Sequence, residues 1–443
     1  MRPASRSSRR AFLAATSGAL AAGSVLGREA DSPTSSAARL ALEGGEKAVR
    51  EPLPRVARWG EPERERLNAM LDQDSLFYWK GPQTTALIER FRRACPLPHV
   101  MTCSSGTAAL HIAVAAAGIG PGDEVITSPV TDMGTVIGVL YQQGVPVFAD
   151  LGRDTFNLDP DDVARRVTPR TKAIIAVHLA GNPCDMDTLK AIAGRHDLIL
   201  IEDCAQAWGA RYRGRPIGTA GHIACFSLQN SKHVTCGDGG VVASGDGRFG
   251  PLLQRFGDKG LDRLGTSGLF ESFATNYRMS EPQAAVAAAQ LGRLEAIAAR
   301  RARLGGLLTE GVAGAPGIET HRVHPADRCT YWFAMIRLRP GALRCDRAQF
   351  VKALAAEGVP ASAGYIPVPL YGNPVFREHA FFAGRWPVKE LGLTSMDYAK
   401  VSCPEAVAIL ETGVRVAIHE EMSEAYVRSM AAAVRKVAGH YAA

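Results

Sequence analysis

The chain has 443 residues, enough for two or three structural units and a substantial core. Hydrophobic residues make up 46% and charged residues 21%, which fits a soluble globular protein and excludes disordered and membrane-spanning classes. The formal charge is +7, but residues 1–30 hold five arginines against one glutamate, and the +3 left for the rest is too weak to argue for nucleic acid.

At the N-terminus, Ser8-Arg9-Arg10-Ala11-Phe12-Leu13 precedes an Ala/Gly-rich apolar stretch from Ala14 to about Leu26, with Ala19-Leu20-Ala21 as one cleavage signal. Residues 1–30 thus resemble a twin-arginine signal peptide and predict export to the periplasm; the stretch is too short and too weakly apolar for stable membrane insertion. The plain alternative is a basic leader with no export function, which leaves the protein cytoplasmic. Residues 31–55 mix Ser, Gly, Pro and charge without periodicity and predict a linker, so the first folded domain is expected to start near residue 56.

From there, helical stretches Glu61–Leu71 and Thr85–Ala94 lead into an alternation of elements. The run reads helix Ala108–Ala117, strands Glu124–Ser128, Pro146–Asp150 and Ala173–His178, helix Met186–Arg195, and strand Leu198–Asp203. This predicts an α/β domain over 56–304, a mostly parallel sheet flanked by helices. The Ala-, Leu- and Arg-rich stretch Ser280–Leu304, interrupted only by Gly292, predicts one long connecting helix. Strand-like Tyr331–Leu338, helical Asp346–Glu357 and the amphipathic Ser423–Ala438 predict a smaller α+β domain over 305–443. The nine cysteines are scattered, form no CxxC pair and leave an odd one over, so they read as reduced core residues.

The chemistry gathers at segment ends. Ser104-Ser105-Gly106-Thr107 opens an alanine-rich helix, where free N–H groups and the helix dipole favour an anion such as phosphate; a plain Ser/Thr cap has the same look. The apolar strand Leu198–Ile201 delivers Asp203 to a buried end, where an unpaired carboxylate is costly and calls for a cationic or hydrogen-bonding partner. A protonated pyridine nitrogen is such a partner, and Lys232, about thirty residues on in Phe226-Ser227-Leu228-Gln229-Asn230-Ser231-Lys232, suits a Schiff base to pyridoxal 5'-phosphate. Gln206, three residues after Asp203, converges with it if the chain turns helical. His178, in His178-Leu179-Ala180-Gly181-Asn182-Pro183, reads equally as a ligand and as a packed strand-end histidine.

The succession SSGTAAL, HLAGNP, EDCAQAWGA, FSLQNSK, TCGDGG and NYRMSEPQAA, in order from about residue 58 onward, resembles the DegT/StrS family of sugar aminotransferases. The resemblance implies the fold-type I architecture, pyridoxal 5'-phosphate as cofactor, a role in sugar or polysaccharide biosynthesis, and a homodimer with shared active sites. It implies that Lys232 forms the internal aldimine and moves protons, and that Asp203 pairs with the pyridine nitrogen. Gln206 is then beside the ring, Gly106, Thr107 and Ser227 hold the phosphate, and Asn276 reaches it from the partner subunit. The reaction implied is ping-pong transfer of an amino group from glutamate or glutamine to a keto-sugar, often nucleotide-linked, or a keto-cyclitol.

One position departs from the family. Where many members carry an aromatic residue that stacks on the ring, this chain has Asp132, which suits either a contact to substrate or a loop cap. Two other readings keep the cofactor: a sugar dehydratase, against which Lys232 argues because such relatives carry histidine there, and an exported sensory or regulatory protein with little turnover. Tyr331 and the loop Tyr365–Tyr371 read as packing or as substrate contacts.

Overall fold

The computed structural model describes residues 39–265 and 268–443, so the expected signal peptide lies outside the described residues. The larger unit is built on strands β1 (His99–Cys103), β2 (Glu124–Thr127), β3 (Val145–Phe148), β4 (Thr171–Val177), β5 (Ile199–Asp203), a two-residue hairpin β6 (Arg211–Tyr212) and β7 (Arg215–Pro216), then β8 (Ile223–Ser227) and β9 (Gly240–Ser244). Seven of them form one sheet in the order β1-β9-β8-β5-β4-β2-β3, in which only β9 runs against its neighbours. Helices cover both faces, so the central strands are apolar on both sides. In β4, Ile174 and Ala176 enter the core on one face, with Phe91, Leu189 and Trp208, while Ala173, Ile175 and Val177 enter the other, with Ala109, Ile112 and Ala113.

Helices α1 (Glu61–Leu71), α2 (Pro82–Ala94), α3 (Gly106–Ala116), α4 (Gly134–Tyr141), α5 (Pro160–Arg166), α6 (Met186–Arg195) and α7 (Gly250–Gly257) surround the sheet. The single long helix expected over Ser280–Leu304 is instead two, α8 (Glu281–Leu291) and α9 (Leu294–Val312). The break falls at Gly292, where glycine weakens the helix. There Gln290 and Arg293 both donate to Glu63 Oε1 and to the Arg58 carbonyl.

The smaller unit is a four-stranded antiparallel sheet, β10 (Ile318–Thr320), β11 (Ala334–Leu338), β12 (Ala361–Ala363) and β13 (Gly413–Val416), in the order β10-β11-β13-β12. Its core also holds Leu304, Leu308 and Val312 of α9 and the closing helix Glu424–His440. The strand expected to start at Tyr331 begins at Ala334, because Tyr331 has φ +42° and Trp332 N–H is already bonded to Ala180 O. Part of the expected linker is ordered against this unit. Leu40 and Val49 are buried in its core, and Ala41 and Ala48 N–H donate to Glu357 at 2.8 and 2.9 Å. An aromatic layer including Phe148, Tyr371, Phe376 and Tyr398 joins the edge strand β3 to the C-terminal residues.

Candidate active site

The carboxyl ends of β1, β2, β5 and β8 open on one cavity of about 250 Å³, as parallel α/β sheets place their ligand sites. At the end of β1, Ser105 turns the chain into α3, and its Oγ accepts from Ala108 N–H at 3.0 Å. This leaves the Gly106 and Thr107 N–H groups, which have no carbonyl a turn earlier in the helix, at the positive end of the dipole. Ser227, at the end of β8, faces them so closely that a Cβ at Gly106 would lie 2.6 Å from the Ser227 Cβ. Glycine here keeps open a cradle of N–H and hydroxyl donors fit for a phosphate.

Asp203 ends β5, buried. Its Oδ2 accepts from Thr135 Oγ1 at 2.8 Å and its Oδ1 from Ala205 N–H at 3.1 Å. Burial raises its pKa, against those two donors and the positive charge of Lys232. Such a carboxylate is short of a full cationic partner. Its neighbour Glu202 faces the opposite side of the sheet and is satisfied there: it accepts from Gly218, Ala220 and Gly221 N–H and lies 3.2 Å from His178 Nε2. Cys184 N–H donates to His178 Nδ1, which leaves the His178 proton on Nε2 facing Glu202. His178 is therefore a packed strand-end histidine.

Lys232 is buried in the loop between β8 and β9. Its N–H donates to Gln229 O, and its carbonyl accepts from Arg58 Nη1 at 2.7 Å, which fastens the loop from outside. The Nζ lies 3.9 Å from the centre of the Trp332 ring. Burial lowers its pKa to about 8, Arg415 pushing the same way while Asp203 and Asp132 oppose. A free amine is thus accessible near neutral pH, as a nucleophile and proton carrier requires.

The turn after β4 does not line the cavity but holds one residue that does, Gln206. Ala180 N–H donates to Gln206 Oε1 at 2.9 Å, and Gln206 Nε2 donates to Tyr365 OH at 3.1 Å. Gly181 has φ +92°, and a Cβ there would lie 2.8 Å from Tyr331 N. That close approach lets Thr330 and Trp332 N–H bond to Gly181 and Ala180 carbonyls, which positions the Trp332 ring over Lys232. Trp332 Nε1 is held by Ser231 O at 2.7 Å.

Lys232, Asp203, Gln206, Ser227, Gly106 and Thr107 are thus brought together in one cavity. Asn276 is not: it is exposed, outside that cavity, with its Oδ1 accepting from Arg278. Asp132 both lines the cavity and accepts from Gly134 N–H at 2.8 Å, so the cap and the contact with the cavity coexist. Thr135 and Trp332 escaped the sequence reading. For Thr135 a clue existed, a hydroxyl at the start of the helix that follows β2; for Trp332 there was none.

The sheet order, the buried lysine and carboxylate, and the donor cradle define a fold-type I enzyme of the pyridoxal-phosphate class. The chain belongs to the DegT/DnrJ/EryC1/StrS aminotransferase family, whose profile matches residues 58–435. It is 38% identical over 280 residues to GDP-perosamine synthase of Caulobacter vibrioides, covering 63% of this chain and 75% of that protein. To L-glutamine:2-deoxy-scyllo-inosose aminotransferase of Streptomyces kanamyceticus it is 35% identical over 358 residues, covering 76% and 82%. The crystal structure of S. venezuelae DesV with a ketimine intermediate is similar, with TM-score 0.74 and 31% identity over 85% of this chain and 94% of that one. The protein is accordingly an aminotransferase, and its cofactor is pyridoxal 5'-phosphate.

Proposed function

We propose that this aminotransferase moves the amino group of glutamate or glutamine to a keto-sugar, nucleotide-linked or free, or to a keto-cyclitol, with Lys232 as the attachment point of the cofactor. The observation that carries the reading is the buried pair Lys232 and Asp203 on either side of one cavity whose rim is the Gly106–Thr107–Ser227 cradle. The residues fit the group: the cradle is closed to any side chain at 106, and the buried carboxylate lacks the cation that a protonated pyridine nitrogen provides. The sugar and cyclitol names of the relatives supply the acceptor class.

When bound, the cofactor supplies an electron-withdrawing ring that stabilises the charge left when a proton leaves the substrate carbon. Gly106 and Thr107 N–H and the Ser227 hydroxyl would hold its phosphate. Asp203, held by Thr135 and Ala205, would keep the ring nitrogen protonated, and Gln206, oriented by Ala180, would offer its amide to the ring. Lys232 Nζ takes the proton from the donor carbon and later returns one to the acceptor carbon, at a pKa that burial has tuned toward neutrality. Trp332 and Tyr365 exclude water from the lysine side.

The test is spectroscopic. Purified holoenzyme is titrated with L-glutamate and then L-glutamine, and loss of the cofactor's visible band with either donor supports the reading. A band unchanged by both, or one that persists unaltered in Lys232→Ala, removes it. We further propose a homodimer in which Asn276 serves the second copy, a reading supported by its exposure beside the exposed apolar side chains Leu269, Phe270 and Phe273. Export through the Arg9-Arg10 leader is also proposed; a fusion of residues 1–35 to a reporter, with both arginines changed to lysine, tests it, and export insensitive to the change rejects it.

A further inference from the structure

A second cleft, about 530 Å³ and so more than twice the active-site cavity, lies where α2, the β6–β7 hairpin and the α8–α9 break meet. It shares no lining residue with the active site. Four guanidinium groups face it, those of Arg90, Arg93, Arg211 and Arg328, against a single acid, Glu295. That acid is already taken. Arg328 donates to both of its oxygens, at 2.5 and 2.9 Å, and Arg211 stands 3.7 Å away.

Arg90 and Arg93 are what is left over. Arg90 donates one bond, to Ala288 O, and Arg93 has no hydrogen-bond or ion-pair partner among the described residues. Arg66 adds a third cation close to Arg90, and its own bond goes to the neutral Gln83 side chain. Burial, together with the like charges of Arg66 and Arg93, holds the Arg90 guanidinium below its ordinary value, the mark of cations crowded without a counter-ion. The other walls are apolar, with Leu291, Leu294 and Pro216 among them. Crowded, unneutralised arginines beside an apolar wall in a concave site match a ligand with adjacent anionic groups and a flat apolar part.

We propose that this cleft binds a small molecule bearing a diphosphate, of the nucleoside diphosphate class, with Arg90 and Arg93 as its anion ligands. Two adjacent phosphates match two adjacent forks, and the volume accommodates the base and ribose beside the apolar residues. A nucleic acid strand is the less fitting occupant, because the net charge beyond the leader is only +3. The site adjoins Gly292, where α8 gives way to α9, so a ligand there would brace the helix pair that runs from the large unit into the small one.

The experiment is calorimetric titration of the full-length holoenzyme with UDP and with inorganic pyrophosphate, using uridine and sulfate as controls. Saturable binding of UDP and pyrophosphate but not of uridine is expected. Arg93→Ser, at an exposed and unpartnered position, is expected to weaken both at least tenfold with the cofactor spectrum and the transamination rate unchanged. Loss of binding in Arg93→Ser also separates this cleft from any nucleotide held at the active site, which Arg93 does not line. Absence of saturable binding, or an affinity for UDP unchanged in Arg93→Ser, overturns the proposal. So does displacement of UDP by single-stranded DNA at equal phosphate concentration.

Discussion

The reactivity proposed for Lys232 rests on surrounding groups that disagree about its charge. Burial and Arg415 favour the free amine, Asp203 and Asp132 the ammonium, and the balance falls at about 8. Below that pH the amine is protonated and cannot attack an aldehyde; above it the lone pair is free. The rate of cofactor uptake by cofactor-free protein is therefore expected to rise with pH through a midpoint near 8. Asp132→Asn removes a charge that stabilises the ammonium, so the midpoint should move to lower pH; stopped-flow absorbance over a pH series reads both. Asp203→Ala separates stability from binding. It deletes a carboxylate whose burial is already unfavourable, so cofactor-free protein should melt within a few degrees of wild type. Cofactor affinity, measured by equilibrium dialysis, should fall by about 2–5 kcal/mol because the ring nitrogen loses its buried partner.

At the scale of elements, the site depends on how closely helix starts approach one another. Gly106→Ala pushes a methyl group to 2.6 Å from the Ser227 Cβ, so α3 or β8 must shift. About 1–3 kcal/mol of destabilisation is expected from the overpacking, with weaker phosphate binding in addition. Thermal melting with and without cofactor resolves the two, and the gap between the curves should shrink. Glu281, the first residue of α8, is fully buried and caps α2 across the fold: its carboxylate accepts from Gln83 N–H, Thr84 N–H and Thr84 Oγ1 at 2.5–2.8 Å. Glu281→Ala strands those donors and is expected to cost about 2–4 kcal/mol in urea unfolding. The same helix shows where periodicity misleads. The stretch 280–304 is rich in good helix formers throughout, yet Gly292 and the pull of Glu63 on Arg293 and Gln290 divide it. A glycine that merely lowers propensity became a break because a distant acid held the side chains on either side.

For the whole molecule, the proposed exchange of Asn276 between subunits predicts complementation. Lys232→Ala and Asn276→Ala should each be nearly inactive alone, but dissociated and mixed in equal amounts they should recover about a quarter of wild-type activity, since half the dimers then carry one intact site. No recovery, with a mixed dimer verified by light scattering, would overturn the exchange and assign Asn276 to the site of its own subunit. The tail before α1 belongs to the fold as well. Leu40 and Val49 seat in the core of the smaller unit, and Glu357 holds the backbone between them. Leu40→Ala should lower stability by about 2–4 kcal/mol through the cavity it leaves, although the residue lies far from the active site.

Much of this was legible in the linear chain, for a physical reason. Strands buried on both faces leave unbroken apolar runs, the residues at their ends are the ones that face a ligand, and the glycine and hydroxyl pattern around 104–107 and the acid at 203 mark two of those ends. Lys232 was legible because its type and its separation from Asp203 suit one chemistry. Tertiary structure alone decided the rest. His178 could have been a ligand until Glu202 and Cys184 closed around it, and Asp132 proved to be both a cap and a wall of the cavity. Trp332 reaches Lys232 from a hundred residues away only because Gly181 lets two backbones meet. Residue type and period record which face of a strand or helix is buried; they carry no record of which distant segment will be buried against it.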